Sequence, residues 1–133
     1  MFAVEVRDRI MIGHSLPDPF FGPAQGMHGA SFIVDIAFYR EKLTKQNVVV
    51  DIGAALDVLK ATLKPLAYQN LDALPQFKGK LTTTEFLCKH IFDEVAKAAK
   101  SGALGEDGRG LAKIRVLLHE HDVARAWYEG SVA

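Results

Sequence analysis

Two long alternating stretches on either side of a proline-rich loop constrain this chain more than any other feature. Between Phe2 and His14, Phe2, Val4 and Val6 alternate with Ala3, Glu5 and Arg7, and Ile10, Ile12 and His14 keep the same parity. His28, Ala30, Phe32, Val34, Ile36 and Phe38 then share one parity against Gly29, Ser31, Ile33, Asp35, Ala37 and Tyr39. A period of two is that of a strand with one buried face, so both stretches are read as β-strands, paired antiparallel. The segment between them, 15–27, holds three of the five prolines and is a loop, too rich in proline for a helix or a central strand.

The period then changes. Val48, Val49 and Val50 form a short β-branched segment ending at Asp51, a good N-cap. Ala55, Leu56, Leu59, Leu63 and Leu66 recur at helical spacing, so a first helix runs from about Gly53 until Pro65 kinks or ends it. Thr82 and Glu85 make a Thr-x-x-Glu capping box, and Leu87, Cys88, Ile91 and Val95 mark a second amphipathic helix to about Lys100. The glycine-rich segment 101–110 follows a helix and precedes a strand. A phosphate-cradling loop needs the opposite order, so this one is read as a flexible connection. Ala112, Ile114, Val116, Leu118 and Glu120 share one face of a third strand, and His121 and Asp122 turn the chain into a fourth, Val123 to Glu129.

These elements predict an α+β fold in the order ββααββ, a four-stranded antiparallel sheet with both helices on one face. Such a sheet leaves its other face and its edges open, and self-association would cover them. At 133 residues the chain has room for one core, so residues 1–133 are read as a single domain. Sixteen basic and sixteen acidic residues balance, which gives no net field to attract nucleic acid or an anionic membrane. Cys88, the lone cysteine, excludes an intrachain disulfide or a multi-thiolate metal cluster. The charged start, with Glu5, Arg7, Asp8 and Arg9, is unlike a signal peptide, and no run approaches the ~20 apolar residues of a membrane span. A soluble, cytoplasmic protein is expected.

Few side chains stand out for chemistry. Glu120 ends an otherwise apolar strand face, where a buried carboxylate must meet a donor. Two adjacent N–H groups of a 2-amino-4-oxo pyrimidine ring would suit it; alternatively, the strand ends at Leu118 and Glu120 is solvated. His14 and His28 lie at the loop ends of their strands, close together in a hairpin pairing. They are either the start of a zinc site, which wants three protein ligands, or satisfied rim residues. His119 and His121 have the opposite parity to Glu120 and are read as surface residues, and Cys88 as an inert core residue.

Taken in order, Gly13-His14-Ser15-Leu16, Met27-His28-Gly29-Ala30, Val49-Val50-Asp51-Ile52, residues 66–72, Thr82-Thr83-Thr84-Glu85 and Leu118-His119-Glu120 resemble the 6-pyruvoyl tetrahydropterin synthase and 6-carboxytetrahydropterin synthase family. The likeness implies the tunnelling fold, an oligomeric barrel of trimers or hexamers, and a pterin or related ring as ligand. In that family three histidines bind zinc; His14 and His28 match two of them, and the third position is Ala30. The nucleophilic cysteine corresponds to Ala24, and an Asp-His pair that moves protons corresponds to Ala67 and Tyr68. The pterin anchor matches Glu120, and the family's helix start is represented by Thr83, Thr84 and Glu85, with Thr82 in place of a proline. The resemblance therefore implies pterin binding and a lyase-type step on the side chain, with Tyr68 as an acid or donor. A third metal ligand would have to come from Asp18, Gln25 or a neighbouring subunit. The alternative is a catalytically silent pterin-binding or regulatory paralogue.

Overall fold

The structure is a computed structural model and describes residues 1–132. The strands are β1 (Phe2–His14), β2 (His28–Arg40), β3 (Lys113–His121) and β4 (Ala124–Ser131), with the helices α1 (Ile52–Leu63) and α2 (Thr84–Ser101) between β2 and β3. They form one antiparallel sheet in the order β1-β2-β3-β4. His14 lies opposite His28 and Phe2 opposite Arg40, so the first two strands pair along their whole length.

The alternation sorts the two faces. Val6, Ile10, Ile12, Phe32, Val34, Ile36, Phe38, Ile114, Val116 and Leu118 are buried against the helices. The helix α1 packs on β1, and α2 on β3 and β4. Its buried stripe, Leu87, Cys88, Ile91, Phe92, Val95, Ala96 and Ala99, follows the helical period. The opposite face of the sheet carries Arg7, Met11, Ser31, Asp35, His119 and Trp127, and no helix among the described residues covers it.

Asp51 caps α1 through a hydrogen bond from the Gly53 N–H at 3.0 Å, and the helix stops just before Pro65. Its inward face differs from the expectation at one place: Val58 is buried and Leu56 is 42% exposed. The α2 cap also falls one residue later than the proposed box. Thr83 accepts from the Phe86 N–H at 3.1 Å, because the Thr82 hydroxyl is buried and engaged with His14. The 15–27 loop contains a 3-10 turn over Pro19–Gln25, started by Asp18. The 101–110 connection is packed rather than slack. Gly102 ends α2 in the left-handed region at φ 92°, Leu104 is buried, and Arg40 Nη1 donates to the Asp107 carbonyl at 2.7 Å. The last strand starts at Ala124 and runs to Ser131, two residues beyond the expected end.

Truncating Phe38, which is fully buried on β2 between β1 and β3, removes one of the two phenyl groups among the largest fully buried side chains. The variant Phe38→Ala should lose about 3–5 kcal/mol in urea unfolding. Burial holds the His90 imidazole, packed edge-on against Phe77 at 4.9 Å, below its ordinary value. The unfolded chain then binds more protons as pH falls through the ordinary histidine value of about 6.5, so stability should fall between about pH 7 and pH 5. His90→Gln should make that decline shallower; His14, shifted the same way, retains its share.

Candidate functional site

The site is assembled at the loop end of β1 and β2 and at the end of β3. The register sets the His14 and His28 rings edge to face, centroids 4.6 Å apart. His14 is buried, and its Nδ1 lies 2.9 Å from the Thr82 hydroxyl oxygen. His28 is half-buried, and its Nδ1 lies 2.8 Å from the Gly26 carbonyl. A carbonyl can only accept, so His28 Nδ1 carries the proton and its Nε2 has the lone pair a metal would use. Burial, and then the neighbouring His28, hold His14 below the ordinary histidine value.

Two oriented imidazoles are one ligand short of a catalytic zinc site. At the third place Ala30, opposite Ile12, offers only a methyl group. Asp18 is occupied with the Phe20 N–H, and Gln25 turns back to the Gly22 carbonyl. Among the described residues no group of three His, Cys, Asp or Glu side chains is placed to hold a metal. The described residues of one chain therefore do not fit a catalytic zinc ion.

Glu120 departs from the expectation of a buried carboxylate. It is exposed, because a register irregularity between His119 and His121 ends the regular pairing of β3 with β4 beside it. It nevertheless has a partner: the Thr84 hydroxyl donates to Oε2 at 3.0 Å. Thr84 is the first residue of α2, so the carboxylate lies by the positive end of that helix. A groove of about 470 Å³ beside it is lined by Thr84, Glu85, Glu120 and Trp127.

Glu120 also lines a larger cavity, about 690 Å³, on the open face of the sheet. Tyr68 stands at its edge, 82% exposed and at φ 60°, a left-handed backbone that an aromatic residue rarely adopts. Its N–H donates to the Met11 carbonyl at 2.7 Å, which ties this conformation to β1. The structure thus brings Tyr68 and Glu120 to one cavity, Thr84, Glu85 and Glu120 to one groove, and His14 to His28. Thr83 is used as the helix cap.

The sequence reading missed Asp35 and His119. Asp35 is buried on the open face, where Arg7 Nε and Nη2 donate to its two oxygens at 2.6 and 2.9 Å and His119 Nε2 lies 2.7 Å from Oδ2. Hydrogen bonds from Arg7, and then from His119, hold its carboxyl below the ordinary value against the opposing effect of burial. The signal was present: with His14 opposite His28, counting seven residues back along β1 and seven forward along β2 puts Arg7 opposite Asp35. Cys88 behaves as expected, since burial pushes its thiol up to about 11, against a thiolate at neutral pH.

A four-stranded antiparallel sheet with its helices on one face is the fold this chain shares with 6-pyruvoyl tetrahydropterin synthases of known structure. The family model of 6-pyruvoyl tetrahydropterin synthase matches residues 3–131, and the chain belongs to this family. The 6-pyruvoyl tetrahydropterin synthase of Caenorhabditis elegans superposes with a TM-score of 0.81 at 19% identity, over 98% of this chain and 96% of that one. That of Plasmodium vivax gives 0.76 at 12% identity, over 98% and 99%, and that of Plasmodium falciparum 0.73 at 13%, over 97% and 98%. At these identities the likeness is one of fold. No curated protein matches the sequence. Family membership supports a pterin-related, synthase-like function and a pterin-like small molecule as the kind of partner. No helix among the described residues is long and apolar enough to cross a membrane.

If Ala30 is what leaves the two imidazoles short of a metal site, Ala30→His should raise zinc from well below one to about one per chain, read by elemental analysis of protein purified without a histidine tag.

Proposed function

We propose that this protein binds a reduced pterin or a related pyrimidine-fused ring through Glu120 and cleaves or rearranges its side chain by a lyase step that differs from the ordinary synthase mechanism. The observation that carries the reading is the Glu120 carboxylate at the end of β3. One of its oxygens is held by Thr84, and it borders both the groove and the open-face cavity. A 2-amino-4-oxo ring presents two parallel N–H donors, and the carboxylate accepts both, each bond strengthened by its charge. Trp127, 58% exposed in the same groove, offers an aromatic face for stacking.

The chemistry is placed on different groups from those of the family because Ala24 and Ala67 carry no reactive side chain. Tyr68 is available as an acid or hydrogen-bond donor at the cavity edge. The protein works in the cytoplasm, in pterin or deazapurine biosynthesis, as a trimer or hexamer that covers the open sheet edges. The same substitutions favour a second reading, a catalytically silent paralogue that binds a pterin for regulation or storage.

A fluorescence titration with 7,8-dihydroneopterin tests the anchor. Glu120→Gln should weaken binding about 10- to 100-fold, the scale of one or two charge-assisted hydrogen bonds, with the fold unchanged by circular dichroism. Equal affinity in wild type and variant would rule Glu120 out as the anchor. Binding without any product would decide for the silent paralogue.

A further inference from the structure

We propose that Asp35 and His119 form a proton-transfer pair serving the open-face cavity, with His119 Nδ1 as the base; this rests on the pterin reading above. Asp35 has only 6% of its side chain exposed, and its two oxygens already take both prongs of Arg7. Satisfying the carboxylate therefore does not require His119. The imidazole is nevertheless 2.7 Å from Oδ2, 21% exposed, and part of the cavity wall.

That bond has a chemical consequence. Ionised Asp35 only accepts, so the proton of neutral His119 sits on Nε2 and the lone pair on Nδ1. No hydrogen bond engages Nδ1 among the described residues. A buried carboxylate that fixes the tautomer of an imidazole and stabilises the imidazolium formed on proton uptake is the arrangement that general bases use. Arg7 keeps Asp35 ionised, so it is a positioning residue.

The step balances without oxidant, reductant or cofactor. In a dihydroneopterin-type side chain, His119 Nδ1 takes the hydroxyl proton on the second carbon. That oxygen forms a carbonyl as the bond between the first and second carbons breaks, and the electron pair passes into the ring imine as an enamine. The His119 imidazolium returns the proton to the first carbon, leaving a hydroxymethyl pterin and a two-carbon hydroxyaldehyde.

The test uses the whole protein and 7,8-dihydroneopterin in D2O. Wild type should release hydroxymethyl pterin with one solvent deuterium on the side-chain carbon. His119→Gln should lower kcat at least about 100-fold while binding changes less than about threefold. Asp35→Asn should do the same, and added imidazole should restore part of the turnover of His119→Ala, which a purely structural role would not permit. Wild-type turnover in His119→Gln overturns the pair alone, as does a folded, ligand-binding His119→Ala that imidazole does not relieve. Wild-type protein that binds without turnover also overturns the pair and leaves the silent paralogue; wild-type protein that binds no pterin overturns both the pair and the pterin reading.

Discussion

Three consecutive threonines hold the two halves of this site together. Thr82 reaches His14 on β1, Thr83 caps α2, and Thr84 reaches Glu120 on β3. The Thr83 backbone is extended, at φ −64° and ψ 167°, so successive side chains diverge and each meets a different element. Each hydrogen bond alone contributes only about 1 kcal/mol, more where a charge is involved. Their joint effect is geometric. The start of α2 cannot move along the sheet without releasing both the buried imidazole and the carboxylate.

The two faces of the sheet use different physics. Under the helices, aliphatic and phenyl groups are sealed from water, and their burial supplies most of the drive to fold. On the open face a charged group is buried, Asp35, a carboxylate that would be costly without donors. Arg7 and His119 supply those donors from the strands on either side. A slip of one residue between β1 and β2 would turn Arg7 toward the helices and leave Asp35 unpaired, so this ion pair reinforces the register set by the apolar alternation.

Where periodicity and burial agree, the fold could be read from the residues alone. The run of Ile10, Ile12 and His14 against His28 and Phe32 yields both strands and their partners, and Asp51 before an apolar period yields the first helix start. What escaped were choices between equivalent local groups. Thr82 and Thr83 are both fit to cap α2, and only the approach of His14 decides between them. Leu56 and Val58 are both apolar, and the rotation of α1 against β1 decides which is covered. His119 was legible as a residue on the open face but not as a partner of Asp35, because that needs the β2–β3 register, which no turn in the sequence specifies.

The end of β3 shows how one cavity gains two kinds of group. Along the strand His119 and Glu120 point to opposite faces, the first toward Asp35 and the second toward α2. The pairing with β4 becomes irregular between His119 and His121, where the strand runs out. His119 stays on the open face, fixed by Asp35, while Glu120 stays linked to α2 through Thr84, and both border the same cavity. Because the cavity opens where the strand runs out, the imidazole on the open face and the carboxylate beside α2 both reach its wall, and one ligand there has groups from both sides of the sheet within reach.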